Sequence, residues 1–210
     1  NFLKAYGNTI ISTVITVIGQ VALCATAGYS FARVRFPGRN ILFVLVLGVL
    51  MIPSQIFLMP QYLVVQKMGL LNTIRALFLP NLFSAFGTFL LRQSFLSLPV
   101  ELEEAATLDG CNRFQIFYKI MLPLTKSSLV ALAIMTMKFA WNDLMWPLIV
   151  NTSAKKMTLA PLLSSMVSEY GTNYPVQMAG AVMAVLPIVI LFIIFQKQFI
   201  EGVAHTGVKG

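Results

Sequence analysis

The chain has 210 residues, 58% hydrophobic and 10% charged, with a mean hydropathy of +0.81 and a formal net charge of +8. That balance lies well outside the range of soluble globular domains and marks an integral membrane protein. The basic excess is no sign of nucleic-acid binding, because the cations are scattered at the ends of apolar runs without a basic stripe interleaved with aromatics. Two separated cysteines, Cys24 and Cys111, and a single histidine, His205, provide neither a disulfide framework nor a histidine-based metal or catalytic cluster.

After a short polar lead, residues 9–29 form an apolar run of about the 20 residues that cross a bilayer. A signal peptide has a shorter apolar region, roughly 7–15 residues, and here further spans follow, so the run reads as a transmembrane helix. Arg33, Arg35 and Arg39 crowd the next loop around Pro37-Gly38 and mark the cytoplasmic side. Residues 41–59 are the second span, loosened at Pro53, which cannot donate to the carbonyl of Val49. Residues 60–69 read as a helix lying at the membrane surface, ended by Gly69, and Asn72-Thr73 can cap the helix that follows. The third span covers residues 74–91, with Pro80 near its start and Arg92 at its end.

Residues 97–125 then form the one long polar segment between spans. Glu101, Glu103, Glu104 and Asp109 would each cost about 2.5–3.5 kcal/mol at the bilayer centre, so the segment lies in water. Pro99 suits the first turn of a helix running to about Leu108, Asp109-Gly110 supplies a turn that tolerates left-handed backbone, and Asn112 with Gln115 can form a capping box for a second helix. Ala105, Ala106 and Gly110 are small enough to let another protein surface come close.

The fourth span, residues 128–150, is the least apolar because it carries Lys138, Trp141, Asn142, Asp143 and Trp146. An ionised Asp143 inside a span needs a polar cavity or a partner, and Lys138 is turned to a different face of the helix. Two readings stand open. Asn142 and Asp143 line a solute pathway flanked by two indoles, or they bond neighbouring helices while Trp141 and Trp146 anchor the span near the interface. A polar segment over residues 151–176 leads to the fifth span, residues 178–195, broken by Pro187, and to a tail over residues 196–210. Alternating sides from the arginine-rich loop puts nine of the 15 Lys and Arg residues in the cytoplasm and five outside, with Lys138 in a span, as the positive-inside rule requires. The 97–125 loop and the tail fall on the same side.

The loop residues Glu104, Ala105, Ala106, Asp109, Gly110, Phe114, Ile116, Leu122 and Pro123, at their spacing, resemble the coupling loop of ABC importer permeases. Residues 141–149, Pro60-Gln61-Tyr62, residues 69–73 and the closing Gly207-Val208-Lys209-Gly210 resemble the carbohydrate, maltose-type branch, specifically the partner with this tail. The resemblance covers essentially the whole chain. Cys111 stands where that family commonly has Ala or Ser.

The resemblance implies an all-α, type I permease fold with about five transmembrane helices in one transmembrane domain over residues 1–210, and a further span upstream. It implies a multi-pass protein of the cell membrane that binds no cofactor. ATP and Mg are used by a partner ATPase dimer, in whose groove the loop docks and between whose subunits Gly207, Lys209 and Gly210 insert. A second permease would complete a heterodimer, and an extracytoplasmic sugar-binding protein would deliver an oligosaccharide. The chain has no Gly-x-x-x-x-Gly-Lys-Ser/Thr loop of its own, which fits energy coming from a partner. A permease for a non-sugar solute is the alternative. A secondary transporter would need ionisable residues in several spans, and only the fourth has them; an intramembrane enzyme would need more than Asp143.

Overall fold

A computed structural model describes residues 2–166 and 173–207, with side chains up to residue 196. The described residues are helical and contain no strand. In order the helices are α1 (Phe2–Arg33), α2 (Arg39–Gly48), α3 (Leu58–Lys67), α4 (Ile74–Phe78), α5 (Ala85–Ser97), α6 (Glu101–Leu108), α7 (Arg113–Ile116), α8 (Leu122–Leu124), α9 (Lys126–Asn142), α10 (Met145–Val150), α11 (Leu159–Ser164) and α12 (Tyr174–Gly207). Two helices, Phe2–Arg33 and Tyr174–Gln196, are long and apolar enough to cross a membrane alone, and the number reaches five if each of three bent helix pairs is one span. Five is the number expected from the sequence, but the third bent pair joins Arg113–Leu124 to Lys126–Asn142 and so takes in residues 113–124, expected in the aqueous loop, in place of a span over residues 128–150.

The breaks lie where backbone hydrogen bonding is interrupted, and they correct several expected boundaries. The second span is not one loosened helix over residues 41–59. Its helix ends at Met51, Ile52 and Pro53 are extended, and the chain restarts through Ser54–Phe57 into α3, so the helix expected to begin at Pro60 begins at Leu58. The third span also divides. Residues Leu79–Asn81 form a 3-10 turn around Pro80, and Ser84 caps α5 by accepting from the Gly87 amide at 3.1 Å. In the fourth, α9 stops at Asn142 and α10 starts at Met145, with Asp143 Oδ1 accepting from the Trp146 amide at 3.3 Å. The fifth, by contrast, is continuous through Pro187. Pro99 precedes α6 rather than opening it.

The chain divides into two compact units, each assembled from separate segments. One comprises residues 1–18, 53–82 and 135–194. Its packing rests on two clusters, one joining Val65, Ala76, Leu77, Trp146 and Val150, the other Ala5, Trp141 and Leu159. Polar bonds tie its loops. Asn72, in left-handed backbone with φ 58°, accepts through Oδ1 from the amides of Thr152 and Ser153 at 2.8 and 3.0 Å, leaving Thr73 alone as the cap of α4.

The other unit comprises residues 19–52, 83–134 and 195–210. Its core contains Cys24, Ala25, Tyr29 and Ala32 of α1, Leu90, Leu91 and Phe95 of α5, and Ala106, Ile116, Phe117, Met121 and Leu132. Close approach of α1 to α5 needs a glycine: a Cβ on Gly28 would lie 3.0 Å from the backbone nitrogen of Arg92. Small residues at such contacts are the usual means by which helices associate where lipid supplies little hydrophobic drive.

Candidate functional site

The polar loop is built in the second unit on an aromatic base. Tyr29 packs edge-on to Phe95 with centroids 5.5 Å apart and against Phe117 at 5.0 Å. Arg33, at the end of α1, reaches under the loop. Its side chain is 7% exposed, Nη2 donates to the carbonyls of Phe95 (2.7 Å) and Leu98, and Nε lies 3.7 Å from Glu103 Oε1. The last carbonyls of a helix lack intrahelical donors, so one guanidinium both ends α5 and fixes the first turn of α6. Sequence reasoning gives Arg33 a topological role only; its partners lie some 60 residues away in sequence and leave no local signal.

Above this base the helix–turn–helix forms as expected. Gly110 has φ 83°, and the Asn112–Gln115 capping box is complete, with bonds of 2.9 and 2.8 Å. The second helix is a composite: α7, a π-helical turn over Phe117–Met121, and α8 containing Pro123. The residues singled out from the sequence divide by position. Ala106 and Ile116 are buried in the core, and Leu122 is half-buried against it, so the smallness of Ala106 serves the chain's own packing. Glu104, Ala105, Asp109, Gly110, Phe114 and Pro123 are exposed. Two large apolar side chains flank the Gly110 turn in full view: Leu108 at 88% exposure and Phe114 at 74%. Leu108 is not among the residues that sequence reasoning singles out, although an apolar residue beside Asp109-Gly110 in an aqueous loop is the available signal.

At the break in the fourth span the four expected pathway residues do not converge. Trp141 is 6% exposed, and its Nε1 donates to the carbonyl of Ala184 at 2.9 Å. Trp146 is 5% exposed and donates to the carbonyl of Ala76 at 2.8 Å. Both acceptors lie near prolines. Pro80 cannot donate to the carbonyl of Ala76, four residues back, and Pro187 cannot donate to that of Met183, next to Ala184. The Tyr6 hydroxyl lies 3.5 Å from the Met183 carbonyl, and its ring meets Trp141 edge-on at 5.9 Å. Trp141 and Tyr6 thus bring donors to these two carbonyls, and α12 passes through Pro187 unbroken. Asn142 is exposed and bonds back to the carbonyl of Lys138 at 2.8 Å, while Asp143 is half-buried. For the tail, Gly207 is the last helical residue of α12; Lys209 and Gly210 lie outside the described residues.

The family model for the binding-protein-dependent transport system inner membrane component matches residues 24–205. The chain belongs to this family of ABC importer permeases. Among curated relatives, the arabinooligosaccharides transport system permease protein AraQ of Halalkalibacterium halodurans is 42% identical over 205 residues, 98% of this chain and 74% of that one. AraQ of Bacillus subtilis is 38% identical over 100% of this chain and 74% of its own length. The sn-glycerol-3-phosphate transport system permease protein UgpE of Yersinia pestis is 33% identical over 95% of this chain and 72% of its own length. Among solved structures, a bacterial ABC transporter involved in the import of the acidic polysaccharide alginate superposes with a TM-score of 0.85 at 25% identity, over 94% of this chain and 75% of that one. The MetNI methionine ABC transporter, at a TM-score of 0.59 and 15% identity, shares the fold.

The permease is a multi-pass inner-membrane component, as expected from the sequence. It is the transport subunit and carries out no catalysis: ATP is used by a partner ATPase, solute arrives on a binding protein, and the family binds no cofactor. Among the described residues no group of three or more His, Cys, Asp or Glu side chains is placed to hold a metal ion.

Proposed function

We propose that this permease is one of two different membrane subunits of an ATP-driven oligosaccharide importer, and that the loop over residues 97–125 transmits ATPase closure to its spans. The observation that carries this is the pair Leu108 and Phe114, exposed on either side of a left-handed glycine on a loop whose base is clamped by Arg33. Full burial of a Leu or Phe side chain is worth roughly 1.5–3 kcal/mol, so two such groups on a rigid support suit a groove in a partner. Glu104, Ala105, Asp109 and Pro123 are also exposed on the loop, and we assign them to the same interface. A push at this knob reaches α1 and α5 through Arg33 and through the Tyr29–Phe95–Phe117 rings.

An oligosaccharide is favoured as solute because AraQ of two species, at 42% and 38% identity, is an arabinooligosaccharides transport system permease. Within this chain Asn142 and Asp143 are the polar groups at the break in the fourth span that reach a surface, and we assign them to the solute pathway. Trp141 and Trp146 hold the neighbouring helices in place. The tail, Gly207 to Gly210, is assigned to the ATPase interface, supported by the continuity of α12 to Gly207 and by the family-like ending.

The test is uptake by vesicles reconstituted with the full importer and its binding protein. Internal ATP should drive accumulation of labelled arabinooligosaccharide with no ion gradient imposed. Accumulation driven by a proton or sodium gradient without ATP, or of glycerol 3-phosphate with no oligosaccharide, would contradict the proposal.

A further inference from the structure

The turn between α1 and α2 collects cations that pair with no acid among the described residues. Gly38, with φ 76°, reverses the chain and brings Arg35 and Arg39 to a cavity of about 380 Å³ lined also by Phe36, Asn40 and Ile41. Arg92 of α5 lies 4.1 Å from the ring centroid of Phe43, which sits one turn beyond Arg39 on the same face of α2. Among the described residues the one ion pair is Arg33 with Glu103, and Arg35, Arg39 and Arg92 have no acidic partner there. Arg39 reaches neutral acceptors only at the limit of bonding, Asn40 Oδ1 at 3.5 Å and the Val34 carbonyl at 3.4 Å. The start of α2 adds partial positive charge, since its cap is a glycine with no side chain to bond the first amides.

The surface bordering the cavity identifies the ligand. Ile41 lines it and is exposed, and Leu45, one turn further along α2, is exposed too. A cationic hollow continuing into a bare apolar helix face matches an amphiphile with an anionic head and hydrocarbon tails better than a free anion. Clustered arginines beside a membrane helix recognise acidic lipid by this combination of charge and depth. We propose that Arg35 and Arg39 bind the phosphodiester of an anionic glycerophospholipid, with its acyl chains along Ile41 and Leu45. Placement in the cytoplasmic leaflet rests on the permease orientation proposed above.

The test uses the assembled importer in nanodiscs of mixed phosphatidylglycerol and phosphatidylcholine, with retained lipid read by native mass spectrometry. Arg35→Gln combined with Arg39→Gln should weaken phosphatidylglycerol retention at least tenfold and leave phosphatidylcholine unaffected. Inorganic phosphate at millimolar concentration should displace none of it. Equal retention by the variant, or displacement by phosphate alone, would overturn the proposal. Should that variant not assemble, Asn40→Asp places a carboxylate at the same cavity and should reduce retention likewise; undiminished retention there would also overturn it. Retention is read without transport, so a wrong assignment of solute or of coupling leaves the result unaffected.

Discussion

Trp141 and Trp146 show how far single residues could be read from the chain. Their clustering with Asn142 and Asp143 is plain in the sequence, and indoles beside polar groups in a span suit either sugar or interface. Their partners, the carbonyls of Ala184 and Ala76, lie 43 and 70 residues away on other helices. Nothing local announces that. Trp146→Phe keeps most of the buried ring area and removes the Nε1–H donor, leaving the Ala76 carbonyl unpaired at a cost of about 1–3 kcal/mol. We expect a lower thermal midpoint in detergent with unchanged apparent affinity for oligosaccharide; a weaker affinity at unchanged midpoint would return the indole to the pathway. Asn142→Ala and Asp143→Asn should behave oppositely, lowering uptake while assembly and basal ATP hydrolysis persist, and normal uptake by both would remove them from the pathway.

Gly110 is legible at the same scale, because Asp-Gly between two short helices needs left-handed backbone and the observed φ is 83°. A Cβ there meets nothing within 4 Å, so Gly110→Ala costs only the conformational strain, about 1–2 kcal/mol. Gly110→Trp carries the same strain and adds bulk where a partner approaches. Uptake should survive the first change in reduced form and fail with the second, while both proteins insert; equal uptake by the two would show that nothing docks at the turn.

At the scale of elements, length and composition locate the long apolar helices α1 and α12, and the capping box places the second helix of the loop. The ends of the helices are less legible. Pro53 and Pro80 each lie at a helix break, whereas α12 continues through Pro187, and nothing local to the three prolines distinguishes them. The clamp beneath the loop is invisible for the same reason: Arg33 is a topology signal in sequence and a bridge between α5 and α6 in space. Arg33→Met removes a charged donor from two helix-end carbonyls and leaves Glu103 without its cation, a loss of about 2 kcal/mol or more. Faster amide exchange over residues 95–105 with protection elsewhere retained is the expected result. Uniform protection in the variant would mean that the aromatic base alone holds the loop.

For the whole molecule, membership of the permease family fixes what the chain is part of, and the proposed function makes the loop the point where force enters a subunit that hydrolyses nothing itself. Leu108 and Phe114 are the outermost apolar groups of that loop, and neither contributes to the chain's own core. Replacing Phe114 with Asp should therefore leave folding intact while removing roughly 1.5–3 kcal/mol of docking energy, a loss of about tenfold to a hundredfold in affinity for the ATPase. The most direct measurement is binding-protein-stimulated ATP hydrolysis by the reconstituted importer carrying Leu108→Asp and Phe114→Asp together. If the loop couples the two proteins, stimulation and uptake fall together while the variant permease retains its thermal midpoint; full stimulation at a normal midpoint would contradict coupling through this loop.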